Sequence, residues 1–302
     1  MKPSLVIGAA GQVGERIVCT LLSRGQTVVQ ADLLTPSPDM RRLDIRQRDE
    51  VEHAIVSIQP DIVYLTAALT NVDYCEEHPE ESYQVNVTGV QNVVDATNRA
   101  GARLVFFSSD YIFDGCSGPY HEDSTPCPIC EYGRQKLLAE QLIARSSRNY
   151  LIIRTTVVYA WEGQGKNFVV RLLKALSDDQ EVRVPLDQVS NPTYAPNLAE
   201  ASIELAENNL QEVFHVVGPE RASRYEFACE AARVFGYPVQ LIRPITTREL
   251  NQPAARPLNA GMTIAKAKGV LKTSLIGFRA GLRLMEKTKG ELTPPLKRGA
   301  VS

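Results

Sequence analysis

Three side chains near the middle of the chain, Ser109, Tyr132 and Lys136, are of types that together can move a proton to or from a carbonyl oxygen. Ser108-Ser109 ends the apolar run Leu104-Val105-Phe106-Phe107, which reads as a buried strand. Both hydroxyls then belong at a strand's carboxyl end, where open α/β sheets bind ligands. Tyr132 and Lys136 open a helical pattern that runs to Ala144, and a spacing of four stacks them on one face. An unperturbed phenol has a pKa of about 10, and a neighbouring positive charge can lower an acid by roughly 1–3 pH units. The expectation is a phenol made more acidic by Lys136, with Ser109 hydrogen-bonding the reacting oxygen and Lys136 also holding a ribose hydroxyl. Taken alone, a tyrosine and a lysine four apart are more often a solvated helix face.

The elements that must position these groups begin at Ser4-Leu5-Val6-Ile7, a short strand followed by Gly8-Ala9-Ala10-Gly11-Gln12-Val13-Gly14 and an amphipathic segment from Glu15 to Leu22. Strand, glycine turn and helix in that order form a phosphate cradle: small residues admit a pyrophosphate, and the helix amino end favours its charge. Thr27 to Ala31 reads as a second strand ending in Asp32. A carboxylate there can accept from a ribose and repel a 2′-phosphate, which favours NADH over NADPH. Arg41 and Arg42 point the other way, unless they are solvated. Leu43-Asp44-Ile45 reads as a short strand before a helix from Asp49 to Ile58, with Asp44 placed to meet an adenine edge. Ile62 to Leu65 is a further strand, and the small residues after it, Ala67 and Ala68 among them, would let a dinucleotide pass close to the backbone. A long helix is expected from Glu80 to Ala100, stopped by Gly101.

Strands alternate with helices up to about Arg154, which predicts a doubly wound parallel sheet of Rossmann type. Residues 1–156 and 191–217 form the expected dinucleotide-binding domain. Residues 157–190 and 218–290, richer in turn formers, form the expected smaller C-terminal α/β substrate lobe, and residues 291–302 a frayed tail. With 302 residues, 44% apolar, there is enough chain to bury a substantial core. A net charge of −2 gives no electrostatic footprint for nucleic acid or an anionic membrane. No apolar run is long enough to span a bilayer, and the start resembles no signal peptide, so a cytoplasmic protein is expected. Six scattered cysteines do not suggest a disulfide framework. Cys127-Pro-Ile-Cys130 has the spacing of a redox pair at a helix amino end, although simple packing of both thiols is the preferred reading. With Cys116 and His121 the spacings fit no ordinary zinc site, so no metal is expected.

Gly8 to Gly14 with Gln12, Thr70-x-Val72-Asp73-x-x-Glu76, Asn86, Ser109-Asp110-Tyr111-Ile112-Phe113-Asp114-Gly115, the Tyr132/Lys136 pair, Arg154, Asn167-Phe168, Asp187-Gln188, Pro192-Thr193-Tyr194 and Arg256-Pro257 occur in this order. In these the chain resembles the extended short-chain dehydrogenases/reductases, and within them the dTDP-4-dehydrorhamnose reductases. That resemblance implies hydride delivery from NADH or NADPH to the 4-ketone of a nucleotide-activated deoxysugar, with Ser109, Tyr132 and Lys136 catalytic and Tyr132 giving the proton. It implies cofactor binding by Gly8, Gly11, Gln12, Val13, Gly14, Asp32, Asp44, Ala67, Ala68, Tyr132 and Lys136. Thr70, Val72, Asp73, Ser109, Asp110 and Arg256 would meet the nucleotide-sugar, Arg256 at its diphosphate. A homodimer is left open. Two stretches depart from the family: Thr156-Val157 stands where Ser-Trp is usual, and Arg256 to Thr263 lacks the usual serine and aspartate. A non-catalytic subunit resembling the methionine adenosyltransferase β-subunit, or an epimerase or dehydratase of the same superfamily, are the alternatives.

Overall fold

The computed structural model describes residues 2–35, 37–208 and 210–288. The expected frayed tail, 291–302, lies outside the described residues. Strands β1 (Ser4–Ile7), β2 (Val28–Asp32), β3 (Arg41–Arg42), β4 (Ile62–Leu65), β5 (Arg103–Ser109) and β6 (Tyr150–Thr155) join a late strand, Val213–His215, in one parallel sheet. The order across that sheet is β3-β2-β1-β4-β5-β6 and then Val213–His215, so the order in which strands are added switches sides between β1 and β4. Ligands of doubly wound sheets bind at such a switch point. Because every pair is parallel, all carboxyl ends fall on one edge. Ile7 lies level with Ala31 and with Leu65, and Ser109 with Thr155. Gly8, Asp32, Thr66 and Asp110 therefore leave the sheet along that same edge.

Successive side chains of a strand face opposite ways, and β1 shows what this does to a fully buried run. Val6 enters the core on one face, beneath helix α1 (Gln12–Ser23), whereas Leu5 and Ile7 enter the core on the other, beneath α2 (Arg48–Ile58). All three are wholly buried, each worth roughly 1.5–3 kcal/mol in transfer terms.

Two expected elements differ. Leu43-Asp44-Ile45 is buried but forms no ladder; the strand lies two residues earlier, at Arg41–Arg42, because the Asp44 side chain turns the backbone by accepting from Arg46 N at 3.0 Å. A short helix, α3 (Val72–Glu77), precedes the expected long helix, which itself runs as α4 (Pro79–Tyr83), a π-turn over Gln84–Thr88, and α5 (Gly89–Ala100), ending at Gly101 with φ 67°. Asn86 sits in that π-turn, a form of helix frequent at functional sites.

Helix α6 (Glu131–Ser146) follows β5, with a short 3-10 turn, Asp110–Ile112, between. After β6 come β7 (Val158–Tyr159), α7 (Phe168–Ser177), β8 (Val182–Pro185), β9 (Val189–Ser190) and β10 (Thr193–Tyr194). Helix α8 (Ala195–Glu207) packs on α1 and leads to the sheet's edge strand, β11 (Val213–His215). Then follow β12 (Ala222–Ser223), α9 (Arg224–Phe235), β13 (Ile242–Ile245), α10 (Thr247–Leu250), α11 (Ala265–Val270) and α12 (Phe278–Lys287). The short strands pair two by two, β10 with β7, β12 with β9 and β13 with β8, around a separate core that includes Tyr159, Leu172, Phe227, Phe278 and Leu282. Ser223 and Glu226 form a reciprocal capping box at the start of α9, which fixes where that helix begins.

Candidate active site

The glycine turn is built by close backbone approach. Gly8 has φ 91°, and a β-carbon there would overlap the Ala67 backbone; one on Gly14 would overlap the Gly8 carbonyl oxygen. Thr66 fixes the turn from below, its hydroxyl 3.0 Å from the carbonyl oxygens of both Ile7 and Gly8. Gly11 caps α1 with no side chain over it, and a β-carbon there would meet only the Gly8 oxygen. The amino end of a twelve-residue helix with no side-chain cap fits an anionic pyrophosphate. Asp32 completes the turn: its carboxylate accepts from Ala10 N at 3.0 Å and from Leu34 N at 2.9 Å.

Several expected cofactor residues are engaged elsewhere. Asp44 does not present a free carboxylate, because Arg46 grips it with Nε at 3.0 Å and an Nη at 2.7 Å and holds it below the ordinary carboxylate range. The Gln12 amide, oriented by its neighbours, accepts from Ala160 N and donates to Val158 O, joining α1 to the segment after β6. Val13 packs against the core beneath α1, and Ala67 N donates to Ile7 O at 3.0 Å. Ala68 is half-buried in the same loop.

Ser109, Tyr132 and Lys136 are all buried and lie on the two elements that meet at the sheet's carboxyl edge. Tyr132 packs edge-on against Tyr111, with ring centroids 5.6 Å apart, in a small cluster with Cys75, Cys130 and Ala254. Val72 packs against that cluster too, whereas Thr70 is exposed. The expected acidification of Tyr132 by Lys136 is corrected. Burial pushes the phenol well above its ordinary value, and the Ser109 hydroxyl beside it only partly offsets this. The Lys136 ammonium donates to Phe107 O at 2.8 Å and sits 4.6 Å from the Phe106 ring centre. Burial brings it down to about 8, against a smaller upward pull from Glu140 one turn on. Removal from water is the largest cause of both shifts.

Asp110, expected at the substrate, turns inward instead. Ser109 Oγ donates to one of its oxygens at 3.0 Å and Thr156 Oγ1 to the other at 2.7 Å. Val157, the residue after Thr156, has φ 42°. A β-branched side chain in the left-handed region stores roughly 1–3 kcal/mol of strain, a cost met at sites where geometry matters more than comfort. Asp73 and Arg256, both expected at the nucleotide-sugar, are joined to each other at 2.7 Å across 183 positions of sequence. Asp73 also accepts from Ala254 N at 3.2 Å. Arg224, which sequence reasoning missed, faces the same region: its guanidinium lies 5.0 Å over Phe168 and feels Tyr111, Asp110, Arg171 and Arg256. Gln135 was missed as well. It donates to Ser82 Oγ at 2.8 Å and accepts from Asn86 at 2.9 Å, and Asn86 in turn grips both backbone groups of Leu69. Cys127 and Cys130 do not share one environment. Cys127 is exposed, while Cys130 is wholly buried and burial raises its thiol, the opposite of an activated pair.

A Rossmann sheet carrying serine, tyrosine and lysine beside a glycine turn defines the extended short-chain dehydrogenase/reductase class. Residues 1–289 match the model of the RmlD substrate binding domain family, and the chain belongs to that family. It is 32% identical to a dTDP-4-dehydrorhamnose reductase of Aggregatibacter actinomycetemcomitans over 88% of this chain and 92% of that protein. It is 28% identical to the methionine adenosyltransferase 2 subunit beta of Xenopus tropicalis over 93% and 86%. The crystal structure of dTDP-4-dehydrorhamnose reductase from Bacillus anthracis in complex with NADP is similar at a TM-score of 0.87 and 29% identity, covering 94% of this chain and 99% of that one.

Proposed function

We propose that this protein reduces the 4-keto group of a nucleotide-activated deoxysugar, using a nicotinamide dinucleotide as hydride source. The observation that carries the reading is the burial of Ser109, Tyr132 and Lys136 together at the carboxyl edge of β5, in a chain of the reductase family. The bound dinucleotide supplies the hydride. Gly8, Gly11 and Gly14 hold its pyrophosphate. Asp32, already accepting two backbone N–H groups, still favours a ribose hydroxyl over a 2′-phosphate, and so NADH over NADPH. Tyr132 gives its proton to the sugar oxygen as charge develops there, and its high resting pKa keeps that proton in place until the oxygen becomes basic. Ser109 orients the same oxygen. Lys136 takes a ribose hydroxyl in exchange for, or beside, the Phe107 carbonyl.

Residues 1–156 and 191–217 form the dinucleotide-binding part in this reading, and 157–190 and 218–290 the part that grips the nucleotide-sugar. Among the described residues no helix is long and apolar enough to cross a membrane. The test is loss of nicotinamide absorbance on adding a dTDP-4-keto-6-deoxyhexose to the protein with NADH or NADPH. Turnover supports the reading. Tight cofactor binding without turnover of any 4-keto sugar would instead favour a non-catalytic binding subunit, the reading supported by similarity to the methionine adenosyltransferase subunit and by the changed stretch from Arg256 to Thr263.

A further inference from the structure

The buried carboxylate of Asp110 is a group that the proton transfer above does not use. A hydroxyl has one proton to give and two lone pairs to offer, so each hydroxyl around Asp110 can be accounted for. The Ser109 proton goes to one Asp110 oxygen at 3.0 Å, and the Thr156 proton to the other at 2.7 Å. Ser109 Oγ also accepts from Tyr111 N at 3.3 Å. While Asp110 is ionised, Ser109 therefore has no proton for a substrate oxygen and only a lone pair to offer Tyr132. Once Asp110 carries a proton, it can itself act as donor within this group, and the Ser109 proton is released toward the ketone.

We propose that Asp110 is a positioning residue that sets the direction of the Ser109 proton, with Thr156 as the second hydroxyl that holds it, so that the site reduces its ketone fastest when Asp110 is neutral. The inference rests on the reductase reading above. Two further effects have the same sign. A negative charge beside the reacting oxygen opposes an oxyanion forming there, and Asp110 already holds the Tyr132 proton more tightly. Val157, strained at φ 42°, follows Thr156 and anchors it by accepting from Thr193 N at 3.1 Å. The chain accepts that strain at the residue adjoining the hydroxyl that Asp110 needs.

Burial brings Asp110 up to about 6, with the Thr156 and Ser109 hydroxyls and then the Arg224 guanidinium pulling it down. The groups that face it are those two hydroxyls, the Tyr111 phenol on its own turn, the Tyr132 phenol on α6 and Arg224 on α9, with Arg171 and Arg256 behind Arg224. Tyr111 is pushed up to about 12 and Tyr132 higher, so neither titrates near neutrality. Lys136, at about 8, accounts for a separate limb. A nucleotide-sugar closing the cleft removes more water and moves the Asp110 limb upward from 6.

The experiment is the pH profile of kcat for reduction of a dTDP-4-keto-6-deoxyhexose by the full chain and by D110N, T156V and T156S. We expect the parent kcat to fall about a hundred- to a thousandfold, the worth of one donor to the oxyanion, as pH rises through a limb at or above 6. D110N, neutral at every pH, should keep the acid-side kcat and lose that limb. T156V should move the limb to higher pH, and T156S should restore it. A limb that survives in D110N, or that T156V leaves in place, overturns the inference. Isotope-edited infrared spectroscopy of the resting protein reads the same group without turnover. A carboxyl band that appears as pH falls through about 6, moves in T156V and is missing in D110N supports the part of the inference in which Thr156 holds a titrating Asp110, separately from turnover; its absence from the parent overturns the inference.

Discussion

Replacing Lys136 by methionine should stabilise the ligand-free chain at neutral pH while abolishing turnover. Lys136 is 4% exposed, and burial takes its ammonium from 10.5 down to about 8. A tenfold change in a proton equilibrium is worth about 1.4 kcal/mol, so keeping the charge in the fold at pH 7 costs about 3 kcal/mol. The folded pKa lies below the unfolded one, so the unfolded chain binds this proton more tightly and stability rises with pH between the two values. The penalty is full below about 8, shrinks from 8 to 10.5 and is gone above that. Against it stands the hydrogen bond to Phe107 O at 2.8 Å; an acceptor left alone returns about 1 kcal/mol. Methionine is similar in length, uncharged and adaptable. The expected net gain is about 2 kcal/mol at pH 7, falling to nothing by about pH 10. Urea unfolding followed by circular dichroism at both pH values measures it, with nicotinamide oxidation as the parallel assay. A variant less stable than the parent at pH 7, or a difference that does not shrink with pH, would refute the view that desolvation governs this lysine.

Tyr132→Phe should lower kcat by about 10²–10⁴ while cofactor affinity, followed by nicotinamide fluorescence, stays within about twofold, because the lost hydroxyl acts in the transition state. Unaltered turnover would remove Tyr132 from its role. The ion pair between Asp73 and Arg256 should respond unequally to the removal of either partner. The Arg256 side chain is 8% exposed and that of Asp73 30%, so Asp73→Ala strands the more deeply buried charge. We expect it to cost about 3 kcal/mol in urea unfolding, against about 1 kcal/mol for Arg256→Ala, where Asp73 keeps Ala254 N and some water. Equal losses would show that the pair is solvent-screened.

How far the site was legible in the sequence depends on the range of the interaction that forms each part. The glycine turn, Asp32 and the Ser109 strand end could be read because each is a local strand-to-turn event whose geometry a few neighbours dictate. The strand expected at Leu43–Ile45 slipped by two residues because one side chain, Asp44, competes with the ladder for the backbone. Arg224 and Gln135 left no local signal at all. They matter only because the fold brings Arg224 toward Asp110 and Tyr111, and Gln135 against Ser82 and Asn86, from distant stretches of chain.

By itself, the alternation of short apolar runs with helical periods determined a doubly wound sheet, and with it the edge where chemistry would occur, since parallel strands put their carboxyl ends together. Spacing likewise determined that Tyr132 and Lys136 share a helix face. Only the tertiary structure decided their electrostatics. Whether a charge helps its neighbour or is itself suppressed depends on how much water the surrounding chain removes, and that is a sum over residues far apart in sequence. The same holds for Asp73 with Arg256 and for Asp110 with Thr156, pairs whose members look like independent substrate ligands until the fold closes them upon each other.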